Sequence, residues 1–291
     1  MTSFYDRKGP VFGPGGMADD MRADKLKTPD VPAWLVKKGL TAFEYECGRG
    51  VPNTPAVFSA LGRAAAENGV TLSVHAPYFI SLSGLDDTVR MKSVGYIAKS
   101  VECAELMGAG IIVIHCGSCA QQSRADAMAR SADTLAAALD EVRTDVVFGV
   151  ETMGKINQLG TLEEVVELCS ASPRLRPVVD FGHLNARNIG GYYVTRDDYR
   201  RTFDYVGEKL GGDAAKYLHC HFSKIMYTPA GGEKEHLTFD DTEYGPEFEP
   251  LIEAIAKEGL CPSVICESDG TQARDALMMA EYLRELKGEN K

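Results

Sequence analysis

The chain has 291 residues, 44% hydrophobic and 25% charged, with no run of 18 apolar residues. That composition supports a large globular core and excludes disordered and membrane-spanning readings. With 42 acidic against 31 basic residues the net charge is −11, which argues against a broad basic footprint for nucleic acid and leaves room only for a local one.

The first sixteen residues lack a basic start followed by an apolar stretch, so no secretory signal is expected. Eight cysteines are scattered without the dense spacing of a secreted disulfide scaffold, and a cytoplasmic protein with reduced thiols is the expectation. A weak strand candidate, Val11-Phe-Gly13, precedes a helical segment near 29–38. From residue 41 onward, short β-rich runs alternate with longer helical patterns. The predicted strands are 41–47, 71–77, 111–116, 146–152, 177–183, 217–223 and 262–268. Apolar spacing near 3.6 predicts helices over 54–68, 86–108, 122–143, 161–170, 197–209, 247–259 and 271–287. Eight strands each followed by a helix predict an α/β fold, a (β/α)₈ TIM barrel filling residues 1–291 as one domain. An open doubly wound sheet has the same local pattern; strand count and chain length favour closure. The longest connection, 224–246, is polar and carries Gly231-Gly232, and a loop of that length is functional or mobile as a rule.

Only six histidines are present: His75, His115, His183, His219, His221 and His236. Five lie at or just past predicted strand ends, and His236 lies in the long loop. A single buried histidine reads as a hydrogen-bonded core residue. Five at equivalent positions read differently, because all strand C-termini of a parallel barrel open on one face. Three carboxylates follow the same rule: Glu151, Asp180 and Glu267 each close an apolar run, where an unpartnered charge is costly. Crowded carboxylates resist ionisation together, and a divalent cation removes that conflict. Imidazoles with carboxylates are a ligand set for zinc or another borderline transition metal, and their number points to more than one ion. Alternation within the 217–223 strand puts His219 and His221 on one face; His221, nearer the strand end, is the expected ligand, with His219 one layer deeper. Cys116-Gly-Ser-Cys119 is formally C-x-x-C, but no second such pair completes a structural zinc site.

These residues resemble the endonuclease IV family of abasic-site endonucleases, trinuclear zinc (β/α)₈ barrels within the wider xylose isomerase-like TIM barrel superfamily. His75-Ala-Pro-Tyr78 resembles that family's H-x-x-Y strand end, and His115-Cys-Gly-Ser118 its H-x-G-S. Glu151-Thr-Met-Gly with Gln158-Leu-Gly160 resembles its glutamate strand and loop. Asp180-Phe-Gly-His183 keeps its D-x-x-H spacing, and Ile265-Cys-Glu267-Ser resembles its last-strand glutamate. The resemblance implies a first zinc on His75, His115 and Glu151, and a second on Glu151, Asp180, His221 and Glu267. It implies a third on His183 and His236. Where the family places an aspartate two residues before its loop histidine, this chain has Lys234; Glu233 or Glu235 can substitute, or the third site is weak or empty. The implied chemistry is zinc-dependent hydrolysis of DNA on the 5′ side of abasic sites, with Glu151 and Glu267 orienting the attacking water. Tyr78, Arg49 and Lys224 are the candidate substrate contacts, with Arg187 and Arg196 behind them. After the second strand the endonucleases carry a basic, aromatic DNA loop, whereas this chain runs Tyr45-Glu-Cys-Gly-Arg49-Gly.

Sugar isomerases and epimerases resembling xylose isomerase are the rival reading. They hold a single Mn²⁺, Co²⁺ or Mg²⁺ on a glutamate, aspartate, histidine and glutamate of late strands, a pattern that Glu151, Asp180, His221 and Glu267 satisfy. A small sugar suits an acidic protein, but this reading leaves His75, His115, His183 and His236 without a task. A non-catalytic metal-binding homologue is the third possibility. None of the three calls for a membrane.

Overall fold

Eight apolar runs become the strands of one barrel, and the polar connection after the seventh adds a hairpin. In chain order the strands are β1 (Val11–Pro14), β2 (Ala42–Glu46), β3 (Thr71–His75), β4 (Ile111–His115), β5 (Val147–Glu151), β6 (Leu175–Asp180), β7 (His219–Phe222), β8 (Lys224–Thr228), β9 (Gly232–Leu237) and β10 (Ser263–Cys266). The computed structural model describes residues 7–51 and 54–289, so the two ends of the expected 1–291 domain, and with them the start of the segment read for a secretory signal, lie outside the described residues. The barrel strands are hydrogen-bonded in the order β1-β10-β7-β6-β5-β4-β3-β2, all parallel. Closure runs from β1 to β2, where the Gly16 amide donates to the Glu44 carbonyl at 2.9 Å and the Thr41 amide to the Phe12 carbonyl at 3.1 Å. Gly13 permits that approach: a Cβ there would lie 1.7 Å from the Ala42 carbonyl oxygen.

The expected helices stand between the strands, among them Pro55–Asn68, Asp87–Met107, Arg124–Glu141, Arg196–Leu210 and Gln272–Leu286. Their ends carry chemical stops. Asp86 and Ser123 accept hydrogen bonds from Val89 and Asp126 amides, and Thr161 with Glu164 forms a capping box at the start of Leu162–Ser170. The main apolar layer lies between strands and helices and contains Phe43, Leu61, Ile97, Phe148 and Leu251, all nearly or fully buried. Each such side chain contributes roughly 1.5–3 kcal/mol by leaving water. A second, small cluster of Ile111, Val113 and Val178 fills the inside of the barrel. Among the described residues no helix is long and apolar enough to cross a membrane.

Two expectations change. The strand predicted over 177–183 stops at Asp180, because the Asp180 carboxylate accepts the His183 amide at 2.6 Å and starts a helix, Phe181–Arg187. The 224–246 connection is not a plain loop: β8 and β9 pair antiparallel through a turn at 229–231. Its tip is tied to the β5 side, where the Glu233 amide donates to the Gly154 carbonyl and the Ile156 amide to the Gly231 carbonyl, both at 3.1 Å.

Candidate metal centre

Alternation along each barrel strand sends every second side chain inward, and the last inward positions lie at the C-terminal mouth. Those positions are Gly15, Glu46, His75, His115, Glu151, Asp180, His221 and Glu267, one from or just past each barrel strand. Seven of the eight therefore carry metal-ligating groups. The eighth, Gly15, leaves space: a Cβ there would lie 3.2 Å from Glu46 Oε1 and 3.4 Å from Glu267 Cγ.

Three donor clusters meet in this mouth. In the first, His75 Nε2 and His115 Nε2 lie 3.4 and 3.3 Å from Glu151 Oε2. The second gathers Glu151, Asp180, His221 and Glu267, with His221 Nδ1 at 3.0 Å from Glu151 Oε1 and 3.2 Å from Glu267 Oε1. The third is His183, Glu233 and His236, with His183 Nε2 at 3.6 Å from Glu233 Oε2. Within each cluster the donor atoms lie within 4.8 Å of one another, and Glu151 is common to the first two. The first turn of Phe181–Arg187 presents His183, and the hairpin delivers the other two members of the third cluster. At the position the sequence left open, Glu233 faces inward, whereas Lys234 and Glu235 are exposed.

This donor set fits bound cations. Asp180 Oδ2 and Glu233 Oε2 are buried without a hydrogen-bond partner, and Asp180 is wholly excluded from solvent. Their neighbours are imidazoles and carboxylates, the donor types zinc accepts. Protonation in the metal-free protein offers only partial relief. Burial would raise the Glu151 carboxyl, but the His221 charge and hydrogen bonds from His115, His183 and His221 hold it well below the usual range. For His75, His183 and His221, burial acts downward and is outweighed by Glu46 and Glu151, by Asp180 and Glu233, and by Glu267 and Glu44 respectively, so all three sit well above the ordinary histidine range. Burial, opposed by His221 and reinforced by Glu151 and Asp180, pushes Glu267 up to about 8. Glu267 is thus held toward its neutral form first by burial and then by repulsion from Glu151 and Asp180, and a bound cation would offset both.

The substrate candidates are scattered by comparison. Tyr78 is 54% exposed on the rim, and its amide donates to the Gly48 carbonyl at 3.3 Å, linking it to the turn that bears exposed Arg49. Lys224 is buried, with its ammonium on the Asp241 carbonyl at 2.7 Å and the Glu247 carboxylate at 2.8 Å. Arg187 donates to the carbonyls of Met153, Lys155, Ile156 and Gln158, clasping the loop after β5, and Arg196 pairs with Asp197. Cys116 is buried and donates to the Glu151 carbonyl; no cysteine joins a candidate metal group among the described residues. Two acidic residues of β2 were missed in the sequence. Glu44 is fully buried beside His219 and His221, and Glu46 joins Glu44 and Glu267 in a further acidic group. The available signal was two glutamates on one parity of an otherwise apolar strand.

Comparison with known proteins agrees with this architecture. An uncharacterized protein of Methanocaldococcus jannaschii is 27% identical over 277 residues, spanning 94% of this chain and 96% of that protein. Probable endonuclease 4 of Ureaplasma urealyticum is 28% identical over 190 residues, 63% of this chain and 60% of that protein's length. Among solved structures, endonuclease IV from Thermus thermophilus superposes with a TM-score of 0.68 at 19% identity, covering 97% of this chain and all of the other. A D-tagatose 3-epimerase-like protein does so with 0.69 at 20% identity, covering 96% and 97%. At those identities the structural likeness is one of fold. Residues 32–286 match the family described as xylose isomerase-like TIM barrel, and the chain belongs to that family.

Proposed function

We propose that the chain is a multinuclear zinc phosphodiester hydrolase that cleaves DNA on the 5′ side of abasic sites, acting in the cytoplasm, where its eight free cysteines would stay reduced. The observation that carries this reading is the set of three adjoining donor clusters, two of them sharing Glu151. A single-ion isomerase uses only Glu151, Asp180, His221 and Glu267 and leaves five further donors idle. Bound zinc would supply Lewis acidity, making water acidic enough to attack near neutral pH and offsetting charge on the phosphoryl group. The protein's residues supply the rest. Glu151, held by His75, His115 and His221, fixes the spacing of the first two clusters. Glu267 stands beside His221 at the opening, where its carboxylate can orient water or hold a proton. Tyr78 and Arg49, on adjoining segments of the rim, would meet a phosphate or a base.

A second reading has its own support. Glu46, close to Glu267, adds a carboxylate to the β2 side of the mouth, which offers a hydrogen-bonding partner to sugar hydroxyls and no attraction to a polyanion. On that reading the chain epimerises or isomerises a small sugar with one Mn²⁺, Co²⁺ or Mg²⁺. Incubation of the zinc-loaded chain with an abasic-site duplex separates the two. A nick 5′ to the lesion that leaves a 3′-hydroxyl supports the hydrolase. No nick at full zinc occupancy, with epimerisation of a ketose by the Mn²⁺ form, overturns it.

A further inference from the structure

Beneath the three clusters lies a polar layer that none of them uses. Glu44 reaches from β2 across the barrel to β7. Its Oε2 accepts a hydrogen bond from His219 Nε2 at 2.9 Å, and its Oε1 lies 2.9 Å from His221 Nε2. Glu44, His219 and His221 are all at most 2% exposed. At neighbouring inward positions the barrel is filled by Val113 and Val178, so a carboxylate here is not required for packing. A buried carboxylate without a role is unfavourable, and this one sits between two imidazoles.

We infer that Glu44 is the positioning residue of the second cluster. Its carboxylate takes the His219 Nε2–H on one oxygen and sets the other 2.9 Å from His221 Nε2, which leaves His221 Nδ1 facing Glu151 and Glu267, and His219 braces the carboxylate from below. A metal-binding histidine is commonly oriented in this way through its other ring nitrogen, and removing such a partner weakens metal binding by about 10- to 100-fold. The inference rests on the metal-centre reading above, with Glu44 and His219 added as its support.

Two variants test it, E44A and the isosteric E44Q, whose amide offers one acceptor oxygen in place of two. Zinc affinity is measured by competition with a chelator, and the imidazole N–H protons are followed by NMR with and without zinc. The wild type is expected to show downfield Nε2–H resonances for both His219 and His221. E44A is expected to lose both and to bind its second-cluster zinc about 10- to 100-fold more weakly; E44Q is expected to retain one resonance and fall between. Zinc on His183, Glu233 and His236 should persist in both variants and reports on folding; if E44A does not fold, E44Q decides. Wild-type affinity together with an unchanged His221 resonance in E44Q overturns the inference. A wild-type chain that takes up no zinc defeats the metal-centre reading instead, while the proton resonances of the metal-free protein still judge Glu44 on its own.

Discussion

β5 faces two environments that differ by one residue in register. Phe148 and Val150 point outward into the layer beneath the helices, whereas Glu151 points inward to the mouth, and all three are at most 1% exposed. Outside, burial is its own cause: apolar surface leaves water and stability follows. Inside, the same burial works against a charge, and six imidazoles with Glu44, Glu151, Asp180, Glu233 and Glu267 are held together there without any gain from packing. The outer layer is accounted for by folding, whereas the inner one calls for a bound partner to offset its charges.

The sharpest way to break this contrast is to change one side of β5 and then the other. Glu151→Ala is expected to abolish zinc binding at the first two clusters and to lower phosphodiesterase activity by about 10⁴-fold or more, as expected for a group acting as part of a unit. Circular dichroism should show the barrel intact. His115→Ala is expected to lower cleavage by about 10³-fold, yet a sugar epimerase working through Glu151, Asp180, His221 and Glu267 would tolerate it, so the two activities are assayed side by side. Phe148→Ala, on the outward side, should cost about 3–5 kcal/mol in chemical denaturation while the folded protein keeps its full zinc complement. If Phe148→Ala strips zinc, the two faces are not independent.

A pH series sharpens the contrast at smaller amplitude. His75, His183 and His221 titrate above the ordinary histidine range and Glu267 at about 8 in the metal-free fold. Between the ordinary values and these raised ones the folded chain binds more protons than the unfolded chain, so its stability must fall as pH rises through that window. His115, His219 and His236 are lowered by burial and act below it; Glu151 and Glu44 lose their contribution only in acid. The melting temperature of chelator-treated protein is therefore expected to be lower at about pH 8.5 than at about pH 6.5, and zinc affinity higher, since binding displaces protons. A flat profile would remove the electrostatic part of the contrast. The smallest effect is expected on the rim: Arg49→Ala should reduce the salt dependence of DNA binding by a slope of about 1 with zinc content unchanged.

Much of this was legible before the fold was known. Apolar runs marked all eight barrel strands, and the ends of those runs marked His75, His115, Glu151, Asp180, His221 and Glu267. Reading failed where a polar residue interrupted the signal. Glu44 and Glu46 share one parity of β2, but alternation alone does not say that this parity faces the barrel interior, so the burial of Glu44 and the inward place of Glu46 show only once β2 is paired with β3. The hairpin escaped because Lys224–Thr228 offers only a short apolar run, Ile225 to Tyr227, and Gly232–Leu237 is polar on both sides. With it went the choice between Glu233 and Glu235, which only the pairing of the two strands decides. The range predicted for the strand ran on to His183, although Asp180 was read as closing it with His183 a turn beyond; that Asp180 caps a helix by accepting the His183 amide shows only in the fold.

The mouth as a multinuclear metal centre is the central claim, and elemental analysis of protein purified without added metal tests it most directly. Two or three zinc ions per chain are expected, falling when Glu151 is replaced. A single exchangeable ion, held by the late-strand ligands and indifferent to His115→Ala, would contradict it.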